Sequence, residues 1–149
     1  MKADPLAFAA LLPTLLAAHN VGDHVAQTDH QAGLKTKDWS AMAGHIATYQ
    51  ATQAVAVGAV LAATGLRCNR WGLLAGTVIS AGTHAFIDRR WPVAETLGHT
   101  GSPGFADLTV AARRGTMKFP FPLGMYLADQ ALHHGCLLVA ALAMAARRG

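Results

Sequence analysis

Charge is scarce in this chain. Only 13% of its 149 residues are Asp, Glu, Lys or Arg, against about 25% in an ordinary soluble domain. Such a composition lacks the polar surface needed to cover a water-soluble globule. Cysteine is scarcer still. Cys68 sits in a short turn and Cys136 inside an apolar run, with no C-x-x-C pattern, which suggests neither a disulfide nor a thiolate metal site. Also missing are the G-x-S-x-G elbow, the P-loop and the dinucleotide glycine pattern. The net charge is +4, but the basic residues come as the scattered pairs Arg89-Arg90, Arg113-Arg114 and Arg147-Arg148. They flank apolar runs and do not interleave with aromatics, so no nucleic acid is expected as a partner. Anchoring at lipid headgroups is the simpler reading, with the lipid bilayer as the partner.

What the chain does have is apolar length. Hydrophobic residues make up 52%, and four stretches are nearly free of charge: Pro5 to Gly22, Trp39 to Leu66, Trp71 to Ile87, and Pro122 to Ala146, the last interrupted by Asp129. Each approaches the roughly 20 residues that cross a hydrocarbon core of about 30 Å. Pro5 and Pro122 suit first-turn positions, where the missing N–H is no loss. Met1-Lys2 before an apolar stretch imitates a signal peptide, but three more apolar segments follow and no small-x-small cleavage site is clear. A soluble bundle should show a polar stripe on each helix; Ala54 to Leu66 carries no charge on any face. Gly58, Gly72, Gly76 and Gly82 resemble the small residues that let membrane helices approach closely. The expectation is one all-α domain over 1–149: a four-helix transmembrane bundle in a plasma membrane, crossed several times.

Two polar loops, 23–44 and 88–121, are long, while the turn at Arg67–Arg70 is short. Four spans with this spacing place both long loops on one side of the membrane, and both termini with the short turn on the other. All eight histidines, and every acidic residue except Asp4, then fall on the loop side. Positive-inside counting, seven Lys/Arg on that side against five opposite, leans towards a cytoplasmic face.

Spacing sharpens the asymmetry. His19/Asp23, His84/Asp88 and Asp129/His133 are each four residues apart, and residues four apart share a helix face. Three such pairs on three helices, with His45 from the fourth, can converge on one object. Imidazole with carboxylate suits a divalent transition metal. The expected ligands are His19, Asp23, His84, Asp88, Asp129 and His133, with His45 a further ligand or general base. They are enough for one ion, or for two sharing carboxylates. Zinc or manganese is the expected metal. Asp129 has apolar sequence around it, and a charged Asp inside a bilayer costs roughly 2.5–3.5 kcal/mol, so it requires a partner. Gln27 and Gln130 are candidate supports for the ligands or contacts to substrate, and Arg89 or Arg90 could steady an anionic headgroup. His24, His30, His99 and His134 read more simply as interfacial residues, and Lys35, Lys37 and Lys118 as anchors. Span one reads A-H-N-V-G-D and span three T-H-A-F-I-D, a faint hint of two duplicated hairpins.

Ala18-His19-Asn20-Val21-Gly22-Asp23, continuing to Gln27-Thr28, resembles the H-x-x-x-D-x-x-x-Q-T opening of a family of small bacterial membrane proteins of unknown function. His45, His84-Ala85-Phe86-Ile87-Asp88 and the D-Q-x-L-H element Asp129-Gln130-Ala131-Leu132-His133 resemble its later pieces in order. His24 stands where that family usually has an aromatic, and Arg89 where it often has Lys. A more distant likeness is to membrane-bound metal-dependent hydrolases, which also show His and Asp at helix ends. The resemblance implies a metal site. The expected function is a divalent-metal-dependent hydrolase of a lipid-linked or amphiphilic ester or phosphoester. The alternatives are a metal or proton-coupled transporter, and a non-catalytic membrane subunit. A homo-oligomer is compatible with all three.

Overall fold

The computed structural model describes residues 2–114 and 117–147. It contains six helices, a short 3-10 turn and one β-hairpin among the described residues. Helix α1 (Pro5–His24) starts where Asp4 Oδ1 accepts from the Leu6 and Ala7 amides, both at 3.0 Å. These are two of the donors that a helix start leaves unpaired. Helix α3 (Trp39–Thr64) is capped by Asp38 and stops at Gly65, whose φ of 68° a residue with a Cβ would resist. Asn69 caps α4 (Arg70–Ile87), and α6 spans Leu123–Met144.

The long polar loops are more structured than their composition predicts. The first folds into helix α2 (Asp29–Leu34), opened by a reciprocal Thr28/Gln31 capping box. The second carries α5 (Trp91–His99), the turn Pro103–Phe105, and strands β1 (Val110–Arg114) and β2 (Met117–Phe121) paired antiparallel. Gly124 at the start of α6 is where this loop packs back, because a Cβ there would run into the Phe105 carbonyl. Of the basic pairs, Arg148 and the side chains of Arg113 and Arg114 lie outside the described residues.

Hairpin partners pack most closely, α1 on α3 and α4 on α6, with α1 also lying along α6. The α4–α6 contact depends on two glycines one turn apart. A Cβ at Gly72 would stand 2.7 Å from the Ala143 carbonyl oxygen, and one at Gly76 would reach 2.6 Å from that of Ala140. Gly58 and Gly82 face open space, so two of the four glycines noted in the sequence do this work.

The bundle is divided along its length. One half holds the apolar core: Leu11, Leu15, Val57, Leu137, Ala140, Ala141 and Met144. The chain ends close this half. Asp4 N donates to Ala145 O at 2.7 Å, and the Arg147 guanidinium reaches Asp4 Oδ2 at 2.9 Å. The other half buries His19, Asp23, His45, His84, Asp88, Gln130 and His133. Outside, the pattern inverts: Leu6, Val55, Trp71, Val78, Phe86 and Val139 are all more than half exposed. An apolar exterior over a bundle that buries polar groups at one end is compatible with a lipid environment.

Helices α1, α3 and α6 are each long and apolar enough to cross a membrane. Helix α4, expected as a fourth span, does not meet that standard. Its 18 residues include Arg70, His84 and three glycines, which dilute its apolar content.

Candidate metal centre

Four side chains meet where α1, α3 and α4 converge. Asp23 comes from the last turn of α1, His45 from the second turn of α3, and His84 and Asp88 from one face at the end of α4. All four are buried, and one ligand atom from each lies within 4.8 Å of the other three. The closest approaches are tighter. His45 Nε2 lies 2.9 Å from His84 Nε2, 3.3 Å from Asp23 Oδ1 and 3.2 Å from Asp88 Oδ2. His84 Nε2 lies 3.7 Å from Asp23 Oδ1 and 3.3 Å from Asp88 Oδ2. A tetrahedral ion with bonds of roughly 2.0–2.1 Å needs ligand atoms about 3.3–3.4 Å apart. The five separations that involve an imidazole scatter around that value, and the two carboxylate oxygens lie within 4.8 Å of each other. Two carboxylates and two neutral imidazoles also carry the charge that one divalent ion cancels. The donor set therefore fits such an ion in chemistry and in size.

Lys35 supplies the positive charge in this structure. The residue caps the C-terminus of α2, and its Nζ lies 2.6 Å from Asp23 Oδ1 and 3.1 Å from His45 Nε2. Asp88 Oδ2 is 3.0 Å away at an angle that leaves this oxygen without a hydrogen bond. Burial alone would raise the Asp88 carboxyl, but the imidazoles of His45 and His84 and the Lys35 charge hold it well below the ordinary carboxylate range.

The chain matches the family model DUF3307, described as a protein of unknown function, over residues 11–148. It belongs to that family. No curated protein and no solved structure matches it. The DUF3307 match runs through every residue of the quartet and through Lys35.

The other expected ligands take two different places. Asp129 and His133, on α6, form a second group with Asp88, again with one ligand atom from each within 4.8 Å of the others. His19 stands outside both groups, because protein atoms engage both of its ring nitrogens. Its Nε2 lies 3.0 Å from Gln130 Oε1 and its Nδ1 3.2 Å from Tyr49 Oη. Partner chemistry fixes the proton positions. Gln130 Oε1 only accepts, so His19 Nε2 donates, and Nδ1 must accept from the Tyr49 hydroxyl. That hydroxyl accepts from Gln53 Nε2 at 2.6 Å, and Ser80 Oγ donates to Gln53 Oε1 at 2.9 Å. At the other end, Gln130 Nε2 donates to Asp129 Oδ2 at 3.1 Å and to Asp23 Oδ2 at 3.4 Å. The chain Ser80, Gln53, Tyr49, His19, Gln130 thus runs in one direction and ends on two carboxylates. It holds those carboxylates in place and leaves His19 no free nitrogen for a metal.

Arg89 and Arg90 part company. Arg89 is pinned: its guanidinium lies 3.6 Å over the Trp39 ring and donates to Thr36 O at 3.1 Å. Arg90 lines a cavity of about 220 Å³ above the quartet, together with Asp23, Lys35, Asp88, Asp129, Gln27 and Gln130. Phe121, Pro122 and Met125 give the same cavity an apolar wall. His24 closes one side through a 2.8 Å bond to Tyr126 Oη. His30, His99 and His134 are exposed.

Sequence reasoning placed Lys35 among the surface anchors. The T-D-H-Q capping signal at Thr28 was the available clue, since it announces a helix start seven residues before Lys35. Tyr49 went unnoticed too, although His45, Tyr49 and Gln53 follow the same four-residue spacing as the acid–imidazole pairs.

Proposed function

We propose that this protein is a membrane-embedded, divalent-metal-dependent hydrolase acting on a lipid-linked or amphiphilic ester, most simply a phosphoester. The observation that carries this reading is the quartet of Asp23, His45, His84 and Asp88, whose ligand atoms lie within 4.8 Å of one another, beneath a cavity lined by Lys35, Arg90 and three carboxylates and walled on another side by apolar groups. In this reading α4 joins α1, α3 and α6 as a fourth membrane helix, and the protein lies in the inner membrane of a bacterial cell with its site near one leaflet.

A divalent ion, zinc or manganese by ligand type, would supply Lewis acidity and lower the pKa of a water near the substrate. The chain's own groups do the rest. Arg90 meets the anionic part of the substrate. Phe121, Pro122 and Met125 receive its apolar neighbour. The Gln130–His19–Tyr49 chain holds the carboxylates in their working orientation. Hydrolysis consumes one water, whose oxygen enters the acid product and whose proton leaves with the departing alcohol.

One observation favours the alternative of a proton-coupled or metal transporter: the polar chain from His19 to Ser80 reaches deep into the bundle. Below it, Leu11, Leu15, Val57 and Leu137 fill the interior, which weighs against a continuous path and supports the enzyme. A non-catalytic subunit would need no metal.

The test uses detergent-purified protein, stripped with chelator and reloaded with zinc or manganese. Model phosphoesters are offered in mixed micelles, and metal flux is followed in proteoliposomes. Hydrolysis by the wild type that is lost in His84→Ala and Asp88→Asn, without flux, is the expected result. Flux without hydrolysis would replace the enzyme with a transporter, and equal metal content in wild type and both variants would remove the metal centre.

A further inference from the structure

A tetrahedral ion held by four protein ligands has no position left for substrate or water, whereas catalytic metal sites keep one open. The Asp23–His45–His84–Asp88 quartet uses all four. Beside it lies a set with only three protein groups, Asp88, Asp129 and His133.

We propose that a second divalent ion binds between Asp88, Asp129 and His133, that the Asp88 carboxylate bridges it to the ion in the quartet, and that this second ion is the one presented to substrate. The proposal rests on the hydrolase reading and deepens it.

Three observations carry it. The first is the state of His133. The residue is 2% exposed, and its Nδ1 lies 2.9 Å from the backbone carbonyl of Asp129 and 3.4 Å from Asp129 Oδ2. A carbonyl oxygen only accepts, so Nδ1 bears the proton and a neutral ring leaves Nε2 bare. Nε2 is buried with no partner, 3.9 Å from Asp88 Oδ1. A buried imidazole lone pair without a donor is one that a divalent ion would satisfy. The second is the division of labour in Asp88: Oδ2 faces His45 and His84, while Oδ1 is the oxygen nearest His133. One carboxylate thereby turns an oxygen towards each group. The third is access. Asp88 and Asp129 both line the 220 Å³ cavity, as Asp23 of the quartet does, while His45, His84 and His133 do not, so substrate in the cavity reaches two of the three groups that leave a coordination position open.

Gln130 gives the two groups a common support. Its amide donates to Asp129 Oδ2 and to Asp23 Oδ2, one carboxylate from each, which fixes their spacing. A pair of ions sharing a carboxylate can hold both the attacking and the leaving oxygen of a phosphoester.

The test is metal stoichiometry on the detergent-purified protein, stripped and then equilibrated with Mn²⁺ and read by elemental analysis and by electron paramagnetic resonance. Two ions per chain with an exchange-coupled spectrum are expected for the wild type. Asp129→Asn and His133→Gln should each fall to one ion, with the spectrum of an isolated Mn²⁺. One ion in the wild type, unchanged in both variants, overturns the second site and leaves the quartet standing. Two ions retained in both variants also overturns it, because the second ion then binds elsewhere. No ion in the wild type would defeat the hydrolase reading itself. The wild-type spectrum decides the matter even if a variant fails to fold.

Discussion

Lys35 Nζ lies 2.6 Å from Asp23 Oδ1, and the same ammonium faces His45 Nε2 and Asp88 Oδ2. A cation carried on the protein's own short helix thus touches three of the four atoms that suit a metal. Two like charges cannot share that space, so a bound ion and Lys35 compete for the same carboxylates.

Replacing Lys35 with Met should therefore tighten metal binding. An increase of about tenfold, worth roughly 1.4 kcal/mol, is expected in competition against a chelator dye. The metal-free variant should melt lower than the wild type, because two buried carboxylates lose their counter-charge, and added metal should restore it. Unchanged affinity would show that the ammonium does not contest the site.

Arg89 and Arg90 should respond in opposite ways. Arg89→Ala removes the guanidinium over Trp39 and should lower stability by about 1 kcal/mol. Arg90 has a φ of 65°, strained for a residue with a Cβ, so Arg90→Gly should relieve roughly 1 kcal/mol. The same change removes a cation from the cavity, so KM for an anionic substrate should rise while the melting temperature increases. A drop in both stability and affinity would contradict this division.

The α4–α6 seam gives a steric prediction. Gly76→Val drives methyl groups against the Ala140 carbonyl and the Met144 side chain, and should cost about 1–3 kcal/mol or more. Gly58→Ala meets nothing within 4 Å and should leave unfolding in detergent within about 0.5 kcal/mol of wild type.

The far end of the bundle gives a pH prediction. Hydrogen bonding from the Ala7 amide, then from Arg147, holds the exposed Asp4 carboxyl below its ordinary value. A depressed native pKa stabilises the fold above the unfolded value of about 3.9, and that contribution disappears as acid protonates the native group. Asp4→Asn should therefore melt below wild type near neutral pH, with the two curves converging below about pH 3. A constant gap down to that pH would exclude the ionised form as the source.

Much of the site could be read along the chain because its unit is local. An acid and an imidazole four residues apart share a helix face wherever the helix goes, and the alternation of apolar runs with loops fixed which end of the bundle His19, His45, Asp88 and His133 would occupy. Which of them meet was a different question. His19 and His84 carry the same motif with the same spacing, yet only His84 aims at the quartet, because Tyr49 and Gln130, from two other helices, take both nitrogens of His19. Local composition made Lys35 look like a solvated anchor. Only the folding of α2 back over the bundle delivers its ammonium to Asp23 and Asp88.

The sequence by itself determined the four long helices, the polar end, and the pairs that could bind a cation, since each follows from spacing within one helix or from the aversion of charge to hydrocarbon. The tertiary structure alone decided that four ligand atoms stand within 4.8 Å of one another, that Asp88 turns an oxygen towards each of two groups, and that Arg89 is pinned while Arg90 reaches the cavity. Those facts depend on the rotation and closeness of neighbouring helices, set by contacts such as Gly72 and Gly76 against the α6 backbone, and no single segment encodes them.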